Sequence, residues 1–471
     1  MSAERKHVTL EELTQHQRDK IAELRARLKP HLEYLRWLIG WDYDIDVIVP
    51  KFIWSVNTLK ALKCNALPLP DNFSPQELNA WGRTQSSAVE YYPGGVAGED
   101  RFGNVITMQA IARIHPQSLI KAGRVSDFYR LSIIEGEAAC QLVRRNEAKY
   151  GRKLGIAIVT DLDGFSTDLL YMPTLKIYRN LLTILQNIFP DMGATLYVIN
   201  SPAMMQALYA LIEPVLAKQT RQKVRFLGSD WKQKLADDLG IENIYKHWGG
   251  TKEHEKSVGD LRMGGKVPEH HLFKESNYKE FIVDDSQLKK ENVSAGKRKT
   301  VPVRVSKPGQ KIRWFFKCSS GDIDFAVVDQ STSLEIWPKF RITTEVVPEF
   351  GEVEVTKPGD YQLVFENLHG TFWSKDIKYS VKVFGRCSAP LPPRLLLCAH
   401  MCPGSVVDDV AVVVACRRNS APPSSLLITC GCTAFATFSQ THCLAGVIAL
   451  THFPLSAKRR LSLIRARTHL V

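Results

Sequence analysis

Cysteine is scarce over most of this chain. Only Cys64, Cys140 and Cys318 fall in the first 386 residues, against seven from Cys387 to the end. Three scattered cysteines exclude a disulfide scaffold and read as free thiols in a reducing compartment. Met1 to Thr14 lacks an apolar run ahead of a cleavage site, so no secretory leader is expected and the main body is expected to be cytoplasmic. Also missing are a GxGxxG turn after a strand, a Walker loop and a GxSxG elbow, the usual marks of dinucleotide, nucleotide and ester chemistry. Cys430-Gly431-Cys432 and the Cys398/Cys402 pair have no second pair at finger spacing, so no structural zinc and no cofactor is expected. His254, His270 and His271 sit in a polar stretch and are expected to face solvent.

Cations are in excess, but unevenly. The net charge is +13, and eight Lys/Arg against two Asp place +6 of it from Cys387 onward. The +7 left for the first 386 residues is too dilute for a nucleic-acid partner and suits transient contact with an anionic membrane surface. At 471 residues, 44% hydrophobic and 24% charged, the chain is an ordinary globular sequence long enough for two or three domains.

Residues 1–72 read as a helical unit. Ile21, Leu24, Leu28, Leu32, Leu35 and Leu38 recur every three or four residues, and Pro30 and Pro50 are expected to break the run into short pieces. Residues 87–252 alternate apolar strands at 105–108, 156–160, 196–199 and 224–227 with helices at 127–150 and 172–188, the pattern of an α/β sheet with helical crossovers. A polar connector follows over 253–274. Residues 275–385 show short alternating runs punctuated by Pro308-Gly309, Ser320-Gly321, Phe350-Gly351 and Pro358-Gly359, which predicts a β-sandwich. Residues 386–471 read as an irregular Cys/Ser/Pro-rich tail. Residues 426–450 are long enough to span a bilayer, but seven polar side chains from Thr429 to His442 make them a poor membrane helix.

The densest functional signal lies between Asp191 and Glu213, which enclose no charged side chain. An apolar strand runs through Asn200-Ser201-Pro202 into a helix carrying Met204, Met205, Leu208, Leu211, Ile212 and Val215. Ser201 suits its cap and Pro202 its first turn. Such all-round apolarity fits either a buried core helix or a wall against flexible acyl chains, to which the methionines lend a deformable surface.

The stretch from Phe189 to Gly250, with YVINSP, EPVL, KVRFLG and the closing WGGT in order, resembles the central signature of the CRAL-TRIO lipid-transfer family. YLRWLIGWDYDI and GGVAGEDRFGNVI upstream extend the resemblance over roughly residues 10–251. It implies an α+β multidomain fold: a helical N-terminal unit, then an α/β lipid-binding module with a gate helix over an apolar pocket. In phosphatidylinositol-transfer members a small polar set holds the headgroup. That set falls here on Asp191, in place of the usual Glu, and on Thr220 and Lys223, while the expected arginine falls near Leu59, with Lys60 adjacent. Residues 281–384, with SKPGQKIRWFF, DIDFAVV, KPGDYQLVFEN and KYSVKVF, resemble the all-β GOLD domain that follows the lipid module in one animal branch. That implies contact with proteins or membranes. Lys289-Lys290 and residues 297–299 read as a solvated charged linker.

Two other classes compete. IAIVTDLDG over 156–164 matches the strand-end Asp-x-Asp of a Mg2+-dependent phosphatase, with Asp161 as nucleophile and Asp163 as acid/base. Its second acidic pair is poorly supplied, because Asp237-Asp238 sits inside an amphipathic helix and Asp408-Asp409 in the tail. The other reading is an adaptor that has lost its cargo and recruits proteins through the β-domain. The expectation is a non-enzymatic carrier of one lipid.

Overall fold

The computed structural model describes residues 14–27, 34–202, 209–210, 212–370 and 372–385, and four short strands between Val412 and Ala449. It divides into two units, Met1–Ser388 and Ala389–Val471.

Three helices open the first unit: α1 (Gln15–Arg27), α2 (Tyr34–Gly40) and α3 (Ile45–Ala61). Pro30 lies outside the described residues. Pro50 does not break its helix as expected. It stands in the second turn of α3, costing one ladder bond there. Asp44 caps the helix by accepting from the N–H groups of Asp46 and Val47, and Ile45, Ile48 and Phe52 are buried on its inner face. Helix α4 (Pro75–Arg83) follows, closed by a Ser74/Glu77 capping box.

A five-stranded sheet comes next, in the order β1 (Val96–Glu99), β2 (Val105–Gln109), β3 (Ile156–Asp161), β4 (Gly193–Ile199), β5 (Val224–Phe226). β1 pairs antiparallel and the other four run parallel. Side chains alternate across it. Ile106, Met108, Ala157, Val159, Tyr197 and Ile199 pack on Leu235, Leu239, Tyr245 and Trp248 on one face. Val105 and Ile156 face Ala138 and Leu142 on the other. The described helices between the strands are α5 (Pro116–Leu119), α6 (Val125–Tyr150), α7 (Met172–Ile188) and α8 (Lys218–Arg221), and α9 (Trp231–Leu239) follows the last strand.

The connector is less polar in place than in sequence. Leu261 and Val267 are buried, and the Arg262 guanidinium, also buried, grips Glu135 of α6 through two bonds of 2.6 and 2.9 Å. His254, expected in solvent, is half-buried 3.3 Å from Asp260, and His271 is half-buried as well.

Two antiparallel four-stranded sheets then form the sandwich. One is ordered β10 (Glu335–Thr343), β9 (Asp322–Asp329), β12 (Gly359–Glu366), β7 (Arg298–Val305), and the other β11 (Glu349–Glu354), β8 (Lys311–Cys318), β13 (Lys375–Phe384), β6 (Lys289–Val293). Two readings are corrected. Lys289-Lys290 and Arg298-Lys299 are strand residues rather than linker. Phe350-Gly351 lies within β11 rather than at a turn; its glycine answers to packing, since a Cβ at Gly351 would stand 2.6 Å from the Trp314 indole. The sandwich interior is continuous with the apolar faces of α6 and α7.

In the second unit, β14 (Val412–Cys416) pairs antiparallel with β17 (Ala445–Ala449), and β15 (Ile428–Thr429) with β16 (Phe435–Ala436). The segment read as irregular therefore holds strands, and the rest of it lies outside the described residues. No helix among the described residues is long and apolar enough to cross a membrane.

Candidate functional site

Parallel strands gather their following loops at one edge of a sheet, and ligands in such folds lie at that edge. An apolar cavity is found there, enclosing about 770 Å3 including the part open to solvent. The segment after β2 supplies Ile111, Ile114, Pro116, Leu119 and Ile120, and α6 supplies Phe128. Leu169 comes from the turn after β3, and α7 adds Thr174, Leu175, Ile177, Tyr178 and Leu181. Ile212 closes the side reached from β4. Tyr92 completes the wall, its hydroxyl 3.2 Å from Ser132 Oγ. Burial pushes the phenols of Tyr92 and Tyr178 up, so both stay neutral.

Of the residues expected to line a pocket, Ile212 does so. Val215 is half-buried and lies off the wall. Met204, Met205, Leu208 and Leu211 lie outside the described residues. The α6 and α7 contributions were missed by sequence reasoning. Their amphipathic spacing marks a buried face, but nothing in it distinguishes a face against a void from one against a core.

Asp191, Thr220 and Lys223 gather at the opposite edge, where β3, β4 and β5 begin. None of them lines the cavity. The side chain of Asp191 is buried, its backbone left-handed at φ 54°, and it takes Lys223 at 2.5 Å and Lys153 at 2.7 Å on its two oxygens. Burial works against its ionisation, but the two ammonium groups prevail and hold its carboxyl below the ordinary range. Lys223 also donates to the Gly193 carbonyl at 2.6 Å, and its own N–H to the Thr220 carbonyl at 3.0 Å. Arg36 of α2, buried, pairs with Glu147 and donates to the Leu154 carbonyl at 2.7 Å. Lys153 and Arg36 had no signal in the residue pattern. Leu59, at the expected arginine position, packs half-buried against the core, and Lys60 is exposed.

Asp161 ends β3 as a buried acceptor. Oδ1 accepts from Asn200 Nδ2 at 2.8 Å and from the Asp163 N–H at 2.9 Å, and Oδ2 accepts from Trp248 Nε1 at 2.9 Å. A nucleophile needs a free lone pair aimed at substrate, and here both oxygens serve the fold. Asp163 is largely exposed, 3.3 Å from Arg113. Asp238 accepts from the Tyr197 hydroxyl at 2.6 Å on the far face of the sheet. Among the described residues no three His, Cys, Asp or Glu side chains are grouped to hold a metal ion.

The order of these parts agrees with the comparison to known families, in which residues 89–250 match the CRAL/TRIO domain. Over those residues the chain carries a CRAL/TRIO domain, a match that supports the CRAL-TRIO lipid-transfer family. Proteins of this family bind and transfer lipids or other small hydrophobic ligands. Among relatives of the chain, ctg-1 of Caenorhabditis elegans is 24% identical over 315 residues, 64% of this chain and 81% of that protein. The CRAL-TRIO domain-containing protein C34C12.6 of the same organism is 20% identical over 81% of this chain and all of its own length. Protein real-time of Aedes aegypti is 20% identical over 54% of this chain and 40% of itself. A crystal structure of Sfh5 aligns over 55% of this chain and 80% of its own at 18% identity and a TM-score of 0.35.

Proposed function

We propose that this chain carries one lipid in the apolar cavity, exchanges it at membranes as a peripheral cytoplasmic protein, and performs no covalent chemistry. The carrying observation is a wall of aliphatic and aromatic side chains in which, among the described residues, Thr174 and two neutral phenols are the only polar groups, set at the strand edge where such folds bind ligands. A lipid leaving a bilayer needs an equally apolar enclosure, since exposing its chains costs about 25 cal/mol per Å2.

The headgroup assignment, a phospholipid such as phosphatidylinositol held by Asp191, Thr220 and Lys223, has one physical point in its favour. Lys223 is able to leave Asp191 for a phosphate without stranding a buried carboxylate, because Lys153 remains on the other oxygen. The same assignment asks the ligand to reach along the sheet, since β4 alone covers seven residues, or roughly 23 Å of strand. The sandwich, in this reading a GOLD-type domain, supplies the contact with membranes or proteins.

Native mass spectrometry of the full chain, with extracted ligands identified, tests both statements. One lipid per chain is expected, lost when Ile114→Trp fills the cavity. Phosphatidylinositol replaced by another lipid in Lys223→Ala supports the headgroup set. An empty chain that takes up no lipid from vesicles overturns carriage.

A further inference from the structure

The two large apolar side chains left most open to water among the described residues are adjacent. Phe372 is 85% exposed and Trp373 80%, side by side in the loop joining β12 to β13. Leu368 at the start of that loop and Val346 between β10 and β11 are each about half exposed at the same end of the sandwich.

This loop is held at its root. Asn367, buried, donates from Nδ2 to the carbonyls of Val293 at 3.1 Å and Trp373 at 2.8 Å. Its backbone N–H donates to the Lys297 carbonyl at 2.9 Å, and its carbonyl accepts from Gly296 at 2.9 Å. Asn367 and Trp373 are thus tied to the sandwich while both rings project, which lowers the ordering cost of burying them.

An exposed cation stands at the root of the loop. The carboxylates at this end are engaged within the fold: Glu366 with Arg298 and Lys339, Asp324 with Arg341, Glu345 with the Gly321 N–H, and Asp376 with Asn292. Lys297, exposed beside the loop, has no acidic partner among the described residues. The position also matters. A cleft next to the loop joins Gly321, Glu345 and Lys375 of the sandwich to Met172 and Ile177 of α7, and Ile177 is also a wall residue of the apolar cavity. The loop therefore leads into the strand, β13, whose Lys375 lines this cleft with α7.

We propose that the β12–β13 loop is a membrane anchor: Phe372 and Trp373 enter the interfacial layer of an anionic bilayer, with Lys297 on its phosphates. Two rings at a convex tip suit the bilayer interface, where such side chains are stable singly, whereas a protein partner takes them within a wider apolar patch. This deepens the carriage reading by naming which end of the molecule meets the membrane.

The test is flotation of the full chain with vesicles of phosphatidylcholine, with and without phosphatidylserine. The wild-type chain is expected to float with the anionic vesicles, and Phe372→Ser/Trp373→Ser to lose about tenfold or more of the bound fraction. Because both rings lie outside the core, its thermal transition and lipid occupancy should match wild type. A double variant that floats as wild type, or a wild type that does not float, overturns the anchor. So does a concentration-dependent dimer in sedimentation velocity that the double variant abolishes, which would assign the loop to a second copy of the chain. A wild type that floats through the loop yet holds no lipid leaves the anchor standing and ends the carriage reading.

Discussion

Trp248 donates its indole N–H to the buried carboxylate of Asp161 across 87 residues of sequence, at 2.9 Å. Asn200 approaches the other oxygen from the end of β4. Three segments are thereby tied together at the strand edge that carries the cavity. Trp248→Phe keeps the ring but leaves Oδ2 without that donor, and should cost about 1–3 kcal/mol, read as a lower urea midpoint. Asp161→Asn should cost a similar amount, because its amide N–H must face a donor. Hydrolysis of p-nitrophenyl phosphate with Mg2+ should stay at background in wild type and both variants; hydrolysis in wild type lost with Asp161→Asn would restore the phosphatase reading.

The two lysines on Asp191 should substitute for one another. Lys153→Ala or Lys223→Ala alone leaves the carboxylate one partner and is expected to cost about 1 kcal/mol. The double variant strands a buried charge and should cost about 3–5 kcal/mol, well beyond the sum. Additive losses in a chemical-denaturation cycle would show that the two lysines do not substitute for one another.

Glu349 gives the docking of the sandwich a pH dependence. It is fully buried, both its oxygens accept from Ser126 Oγ at 2.8–2.9 Å, and burial pushes its carboxyl up to about 7 against the pull of Arg124. The folded state therefore holds a proton that the unfolded chain releases near the ordinary value of 4.5. Its contribution is complete below that value and is lost as pH rises through about 7. Urea midpoints should fall over this window in wild type. Glu349→Gln, neutral throughout, should flatten the fall and overtake wild type above pH 7. A midpoint that rises with pH in wild type would contradict this.

Gly250, in the WGGT motif, is required by space. A Cβ there would lie 1.9 Å from the Ile244 carbonyl oxygen, which is backbone and has nowhere to move. Gly250→Ala should lower the thermal midpoint by more than Gly351→Ala, where the neighbour is the Trp314 side chain. Small-to-large changes in packed sites cost about 1–3 kcal/mol.

The central elements were legible because their patterns are strong. α7 runs over the 172–188 that its spacing predicts, and the four apolar runs of the parallel sheet are strands within a few residues. The strands that the apolar and alternating runs leave out, β1, β6 and β10, are all sheet edges. β6 reads KKENV, and charges on an edge protect it from pairing with another chain while hiding its alternation. β10 contains Pro338 and two register shifts, tolerated because one side of it is open. The site was legible in part. Its motifs marked Asp161 and the Asp191–Lys223 pair, but not that Asp161 is a structural acceptor or that Lys223 already has a partner. The cavity depends on six segments meeting around a void, which no local pattern encodes.

Helix α6 serves two masters with adjacent residues. Phe128 points into the cavity wall, while Tyr129 donates its hydroxyl to the Arg341 carbonyl of β10 at 3.1 Å, and Ser126 holds Glu349 of β11. A helix clamped on both sides moves as a rod. Cargo bulky enough to displace Phe128 must therefore drag the sandwich with it or stretch the wall elsewhere. The lipid a chain of this design accepts is set as much by how tightly its appended β-domain grips as by the shape of the cavity itself.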